Sequence, residues 1–124
     1  MRQIIVIIGA LVILAILLCP PLLAGEADVT DVKVRLTDDG FDFAVTVRHD
    51  DTGWDHYADR WEVLDADGEL LAKRVLYHPH VHEQPFTRHL TGVHIPDGIS
   101  SVTVRAHDSV HAYGGRSMTI DLPR

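Results

Sequence analysis

Three histidines alternate with two other residues in His78-Pro79-His80-Val81-His82. In an extended segment alternate residues project to one side, so this spacing predicts three imidazoles pointing together. Imidazole nitrogen suits Cu²⁺ and Zn²⁺. A second histidine-bearing stretch, His107-Asp108-Ser109-Val110-His111, offers His107 or His111 to complete such a ligand shell. The competing reading is a polar loop whose histidines bond to backbone and water.

Other residue sets allow other chemistry. Asp50, Asp51, Asp55 and Asp59 are oxygen donors of the kind Ca²⁺ prefers, but their spacing lacks the glycine and glutamate positions of the helix–loop–helix calcium loop. Aspartates also favour turns through local hydrogen bonds alone. His107, Asp108, His111 and Ser109 supply the residue types of an acid–base and nucleophile pair. No strained nucleophile turn is evident around Ser109, and the expectation is that the protein is not an enzyme. Trp54, Tyr57 and Tyr113, with Asp55 and His56 between the first two in the chain, are amphipathic aromatics and polar residues of the type found at interfaces. The opposing reading has Trp54 or Tyr57 closing one end of a core.

The chain that must position these residues has 124 of them, one domain's worth of material. Arg2 opens an apolar run that continues to Leu18 and is broken by Pro20-Pro21 before Ala24, Gly25 and Ala27. Charged start, apolar middle and small-residue end are the order of a secretory signal. Residues 1–25 are therefore expected to be a signal peptide. The alternative is an uncleaved anchor over residues 4–24, since spanning needs about 20 apolar residues. Either places residues 28–124 outside the cytoplasm, periplasmic or secreted in the first case and held at the inner membrane in the second. Leu17-Leu18 before Cys19 argues against lipid attachment, which favours a small residue at that place.

Cys19 is the only cysteine, so the domain itself has neither disulfide nor thiol chemistry. Without Arg2, ten basic residues face eighteen acidic ones, a balance of −8. That excludes phosphate neutralisation and makes nucleic acid an unsuitable partner. All nine histidines follow the leader, and protonating them would carry the balance to +1.

Beyond the leader the hydrophobic period is two, the mark of half-buried strands. Seven runs recur, at 29–37, 41–49, 60–65, 69–77, 85–95, 101–107 and 116–122. Asp39-Gly40, Asp67-Gly68 and Pro96-Asp97-Gly98 punctuate them, and such pairs supply the positive φ of tight turns. The predicted fold is all-β, a seven-stranded antiparallel sandwich of immunoglobulin or fibronectin type III type, with Trp61 as its buried tryptophan. The stretch His78-Pro79-His80-Val81-His82-Glu83-Gln84-Pro85-Phe86-Thr87-Arg88 resembles the signature of an uncharacterised family of small bacterial exported proteins. That resemblance implies an immunoglobulin-like domain and no activity.

Strand direction alternates in an antiparallel sandwich, so connections alternate between its two ends. The three Asp-Gly turns fall at one end. The three long connections, carrying seven of the nine histidines and Trp54, Tyr57 and Tyr113, fall at the other. Loops held by a rigid scaffold concentrate function. The expected role is a non-catalytic binding or interaction module of the cell envelope, acting through this pole, with Cu or Zn as its candidate ligand. The alternative is a metal-free contact domain for a protein or surface polymer.

Overall fold

A computed structural model describes residues 25–124; the leader reading of residues 1–24 lies outside the described residues. Seven strands follow one another: β1 (Asp28–Thr37), β2 (Gly40–Arg48), β3 (Ala58–Leu64), β4 (Leu70–Val75), β5 (Phe86–Val93), β6 (Ser101–Asp108) and β7 (Met118–Asp121). They form two antiparallel sheets, β1-β2-β5 and β4-β3-β6-β7. Among the described residues no helix occurs.

In β2 and β6 the alternation read from the sequence is the alternation of burial, whereas Trp61 to Leu64 of β3 are all buried. In β2, Phe41, Phe43, Val45 and Val47 are all 3% exposed or less, and in β6 so are Val102, Val104 and Ala106. Trp61 and Val63 of β3, beside Ala106 and Val104 in the same sheet, are fully buried as well. A buried side chain of this size contributes about 1.5–3 kcal/mol. That packing holds the two sheets together without a cross-link. The fifth run is shorter than expected because Gln84-Pro85 precedes the pairing, which starts at Phe86 opposite Val47. The fourth ends at Val75, and Leu76 leaves the strand to bond the Asp59 carbonyl.

Two of the three tight turns use glycine as expected. Gly40 has φ +125° and Gly68 has φ +81°. Gly40 also lies so close to β5 that an added Cβ would sit 2.7 Å from the Val93 carbonyl oxygen. The third turn differs: Gly98 has no positive φ, and the chain closes there by Ile99 N–H donating to the Pro96 carbonyl, 3.0 Å.

The three long connections meet at the opposite end. His49 N–H donates to Gln84 Oε1 (2.9 Å), His80 N–H to Asp51 Oδ2 (2.7 Å), and Tyr57 N–H to Ser109 Oγ (3.1 Å). Each bond ties one long loop to another. The segment entering β1 crosses this end too, with Val29 N–H bonding the Arg116 carbonyl.

Candidate metal centre

The inward parity of two central strands places the centre. In β2 the inward residues are Phe41, Phe43, Val45 and Val47, and the next of that parity is His49, one step past the strand end. In β6 they are Val102, Val104 and Ala106, and the next is Asp108. Both side chains therefore emerge at the end of the core, each with no solvent exposure.

Asp51 fixes His49. Its Oδ1 lies 2.6 Å from His49 Nδ1 and also accepts from Ala58 N–H at 3.0 Å, while Oδ2 accepts from His80 N–H. The short Nδ1 contact puts a proton on Nδ1 and leaves Nε2 to the interior of the loop cluster. Metal-binding histidines commonly have this carboxylate partner, which sets tautomer and ring orientation. His49 Nε2 meets His56 Nε2 at 3.2 Å, the Gly25 carbonyl oxygen at 3.2 Å and Asp108 Oδ2 at 4.0 Å. His56 Nε2 is in turn 3.3 Å from Asp108 Oδ1. A narrow turn presents His56: its N–H donates to the Gly53 carbonyl and its own carbonyl accepts from Thr52 N–H.

Among the described residues, His49, His56 and Asp108 form the one group of three whose ligand atoms all lie within 4.8 Å of one another. Asp108 Oδ1 accepts from Val110 N–H (2.8 Å) and His111 N–H (2.6 Å). Its Oδ2 is buried with no hydrogen-bond partner. A buried carboxylate oxygen left empty is costly unless something else occupies it.

Charge in the cluster follows from these contacts. Burial works to lower the His49 pKa, but the hydrogen bond and charge of Asp51, the charge of Asp108 and the Gly25 carbonyl together raise it. Burial works to raise Asp51 and Asp108. Asp51 is instead lowered by His49 and the His80 and Ala58 amides, and Asp108 by the His111 and Val110 amides with nearby imidazole charge. The cluster thus holds two carboxylates ionised beside imidazoles; the carboxylates favour a proton on His49, and a divalent cation bound there would take that proton's place.

The histidines singled out by spacing sit differently. Residues 78–82 are loop, not strand; the His78 and His80 rings lie 4.6 Å apart, but the three imidazoles do not form a group of ligand atoms within 4.8 Å of one another. His80 turns inward and stacks on Phe86, with ring centroids 4.0 Å apart and planes 10° from parallel. Arg88 Nη2 donates to its Nε2 at 2.8 Å. Arginine cannot accept, so this nitrogen's lone pair is spent. Burial, then the charges of Arg88 and His78, lower the His80 pKa. His78 and His82 are exposed, and His78 Nδ1 lies 3.2 Å from the Pro79 carbonyl.

His107 is of outward parity. Its Nδ1 is 2.6 Å from Asp59 Oδ1, and its ring stands edge-on to Tyr113 on the outer face of the four-stranded sheet. There Tyr113 OH donates to Glu62 Oε2 at 3.0 Å, and Arg105 lies 3.7 Å above the Tyr113 ring. His111 does reach the centre: its Nδ1 is 3.4 Å from Asp108 Oδ1. Trp54 is 67% exposed and packs edge-on against Tyr57; Asp55 is exposed beside them. Asp50, Asp55 and Asp59 do not gather on Asp51, whose oxygens are already taken. Ser109 Oγ is occupied by the Tyr57 amide and the Asp55 carbonyl.

No family model matches the chain, and no solved structure matches it. A relative from Halomicrobium mukohataei, named "Putative lipoprotein", is 43% identical over 97 residues. The match covers 77% of this chain and 47% of the relative, so the chain spans about half the length of the curated relative it matches.

Spacing within the loops did not disclose His49 as a site residue, and it offered Asp108 for acid–base chemistry and not as a metal ligand. The signal that would have found them is a polar residue at inward parity just where an apolar alternation ends.

Proposed function

We propose that this chain is an exported, non-catalytic module of the cell envelope whose loop pole binds a divalent transition metal, Zn²⁺ or Cu²⁺, through His49, His56 and Asp108. The observation that carries the reading is the convergence of three ligand atoms within 4.8 Å around a buried carboxylate oxygen without a partner. The Asp51–His49 pair adds the orienting carboxylate. Two imidazoles and one carboxylate suit zinc or copper better than calcium or magnesium.

The envelope assignment draws on the apolar leader and on the name of the relative, which carries lipid attachment to this chain as a proposal despite Leu17-Leu18 before Cys19. Periplasmic, secreted and membrane-held forms are all compatible with it. For the fold we infer the fibronectin type III variant of the immunoglobulin-like sandwich. The pairing of β4 with β3, and not with β1, β2 or β5, favours it over the constant-domain arrangement.

Calorimetric titration of the full chain in non-ionic detergent with Zn²⁺ and Cu²⁺ at pH 7 tests the metal reading. The expected affinity is micromolar or tighter, about −8 kcal/mol or more favourable, and it is lost in His49→Ala and Asp108→Ala. Absence of saturable heat in the wild type overturns it.

One observation favours a second reading, a metal-free contact domain. Trp54, Tyr77, Val81 and Val110 are 45–75% exposed, and all four lie on the three long loops. Tyr113 is engaged by Glu62 and Arg60, which leaves Trp54 as the anchor of such a surface. Equal recovery of envelope proteins by wild type and Trp54→Ala would sink it.

A further inference from the structure

We propose that His111 is the fourth ligand of this centre, closing it into a tetrahedral zinc site of three imidazoles and one carboxylate that staples the β6–β7 turn to the β2–β3 loop. The inference rests on the metal reading above and names its geometry, its preferred ion and its consequence.

The turn that carries His111 is built on the ligand carboxylate itself. Asp108 Oδ1 accepts the amides of Val110 and His111. Asp108 and Ala112 exchange both backbone hydrogen bonds, at 3.1 and 3.2 Å. Closing so tight a turn holds Ala112 at φ +59°, the one non-glycine residue with positive φ among those described. Such a conformation persists only where its surroundings enforce it. It brings the chain back over Asp108, with the His111 and His56 ring centroids 4.9 Å apart.

Exposure points the same way. The side chains of His49 and Asp108 are 0% exposed, His56 17% and His111 35%. The group is sealed from within and opens outward, toward His111. Gly25 contributes a carbonyl oxygen at His49 Nε2, so the segment entering β1 also abuts the cluster.

Distances favour zinc over copper. With bonds of about 2.0–2.1 Å, a tetrahedron has edges of about 3.3–3.4 Å, whereas adjacent ligands of a square plane lie about 2.9 Å apart. Three separations lie near the tetrahedral value, 3.2 Å for His49–His56, 3.3 Å for His56 to Asp108 Oδ1 and 3.4 Å for His111 to Asp108 Oδ1, while His49 to Asp108 Oδ2 is longer, at 4.0 Å. His111 is not among the three residues whose ligand atoms lie within 4.8 Å of one another, but its amide is already fixed to the ligand carboxylate, so a turn of its side chain is the movement the proposal requires. The described domain contains no cysteine, and a metal with four protein ligands does there what a disulfide does in other small exported domains.

The test uses the full chain in non-ionic detergent, with Co²⁺ as spectroscopic probe and Zn²⁺ for affinity. Wild type should give the intense visible absorption of four-coordinate cobalt. His111→Ala should shift the position and shape of those bands, because water replaces an imidazole, with zinc affinity about 10–100-fold lower. Ala112→Gly, which removes the backbone strain and keeps the imidazole, should retain the wild-type spectrum. Near-ultraviolet circular dichroism of each metal-free variant checks its fold. If His111→Ala keeps the wild-type spectrum and affinity, the fourth-ligand assignment is overturned while the three-residue centre stands. If wild type takes up neither cobalt nor zinc, both fall together.

Discussion

Two groups of histidines share one end of this sandwich and differ in what positions them. His78, His80 and His82 alternate in sequence, yet one is buried against Phe86 and the other two face solvent. His49 and His56 are seven residues apart, with Asp108 far along the chain, yet they converge within 4.8 Å. Alternation gathers side chains only while the backbone is a strand. Residues 78–82 have left β4 and not yet reached β5, so period two has no meaning there. His49 and Asp108 each extend a strand's inward parity by one step, and the two sheets bring those parities together at the end of the core.

The largest expected effect is on the hub that joins the two groups. Asp51 accepts from the His49 ring, the Ala58 amide and the His80 amide. Removing one partner of a buried charged pair costs about 3–5 kcal/mol, so Asp51→Ala should lower unfolding free energy in urea by that amount. A loss below about 1 kcal/mol would mean the loops hold without Asp51.

Next comes the metal contrast. His49→Ala or Asp108→Ala should weaken zinc binding about 100-fold or more, equivalent to about 2.7 kcal/mol. The His78→Ala/His82→Ala double variant should bind like wild type. Reversal of that order would hand the site back to the alternating histidines.

His80→Ala should act on stability and not on affinity. It removes the stacking on Phe86 and leaves Arg88 without its acceptor, at about 1–3 kcal/mol. Metal affinity lost in step with stability would erase the distinction between the two histidine groups.

The smallest effect is a pH dependence of the metal-free protein. His49 has a folded pKa above its ordinary 6.5, so its contribution is fully present below 6.5 and lost as pH rises through the raised value. Asp51 and Asp108 have folded pKa values below 3.8, so theirs is present above 3.8 and lost as pH falls through the lowered values. Urea midpoints of wild type and His49→Gln should therefore draw together as pH rises above 6.5. A gap that widens there contradicts the Asp51–His49–Asp108 charge arrangement.

Much of the fold was legible because burial in a sandwich has one strong periodic signal. The runs containing Phe41, Phe43, Val45 and Val47, or Val102, Val104 and Ala106, read directly as strands. So did the gathering of the long connections at one end, which follows from antiparallel direction alone. The centre was less legible. His56 and His111 were visible as polar loop residues, but nothing local tells an inward histidine from an outward one once a strand ends. His107 and Asp108 are neighbours with opposite fates: one lies on an outer sheet face with Asp59 and Tyr113, the other under the loops. Their parity relative to Val104 and Ala106 was in the sequence; the facing partner from β2 was not.

The most direct measurement is an anomalous difference map at the zinc edge from crystals of the zinc-loaded protein. One strong peak is expected within about 2.0–2.2 Å of His49 Nε2, His56 Nε2 and a carboxylate oxygen of Asp108. A peak on His78 or His82 with this cluster empty, or no ordered zinc at all, would contradict it.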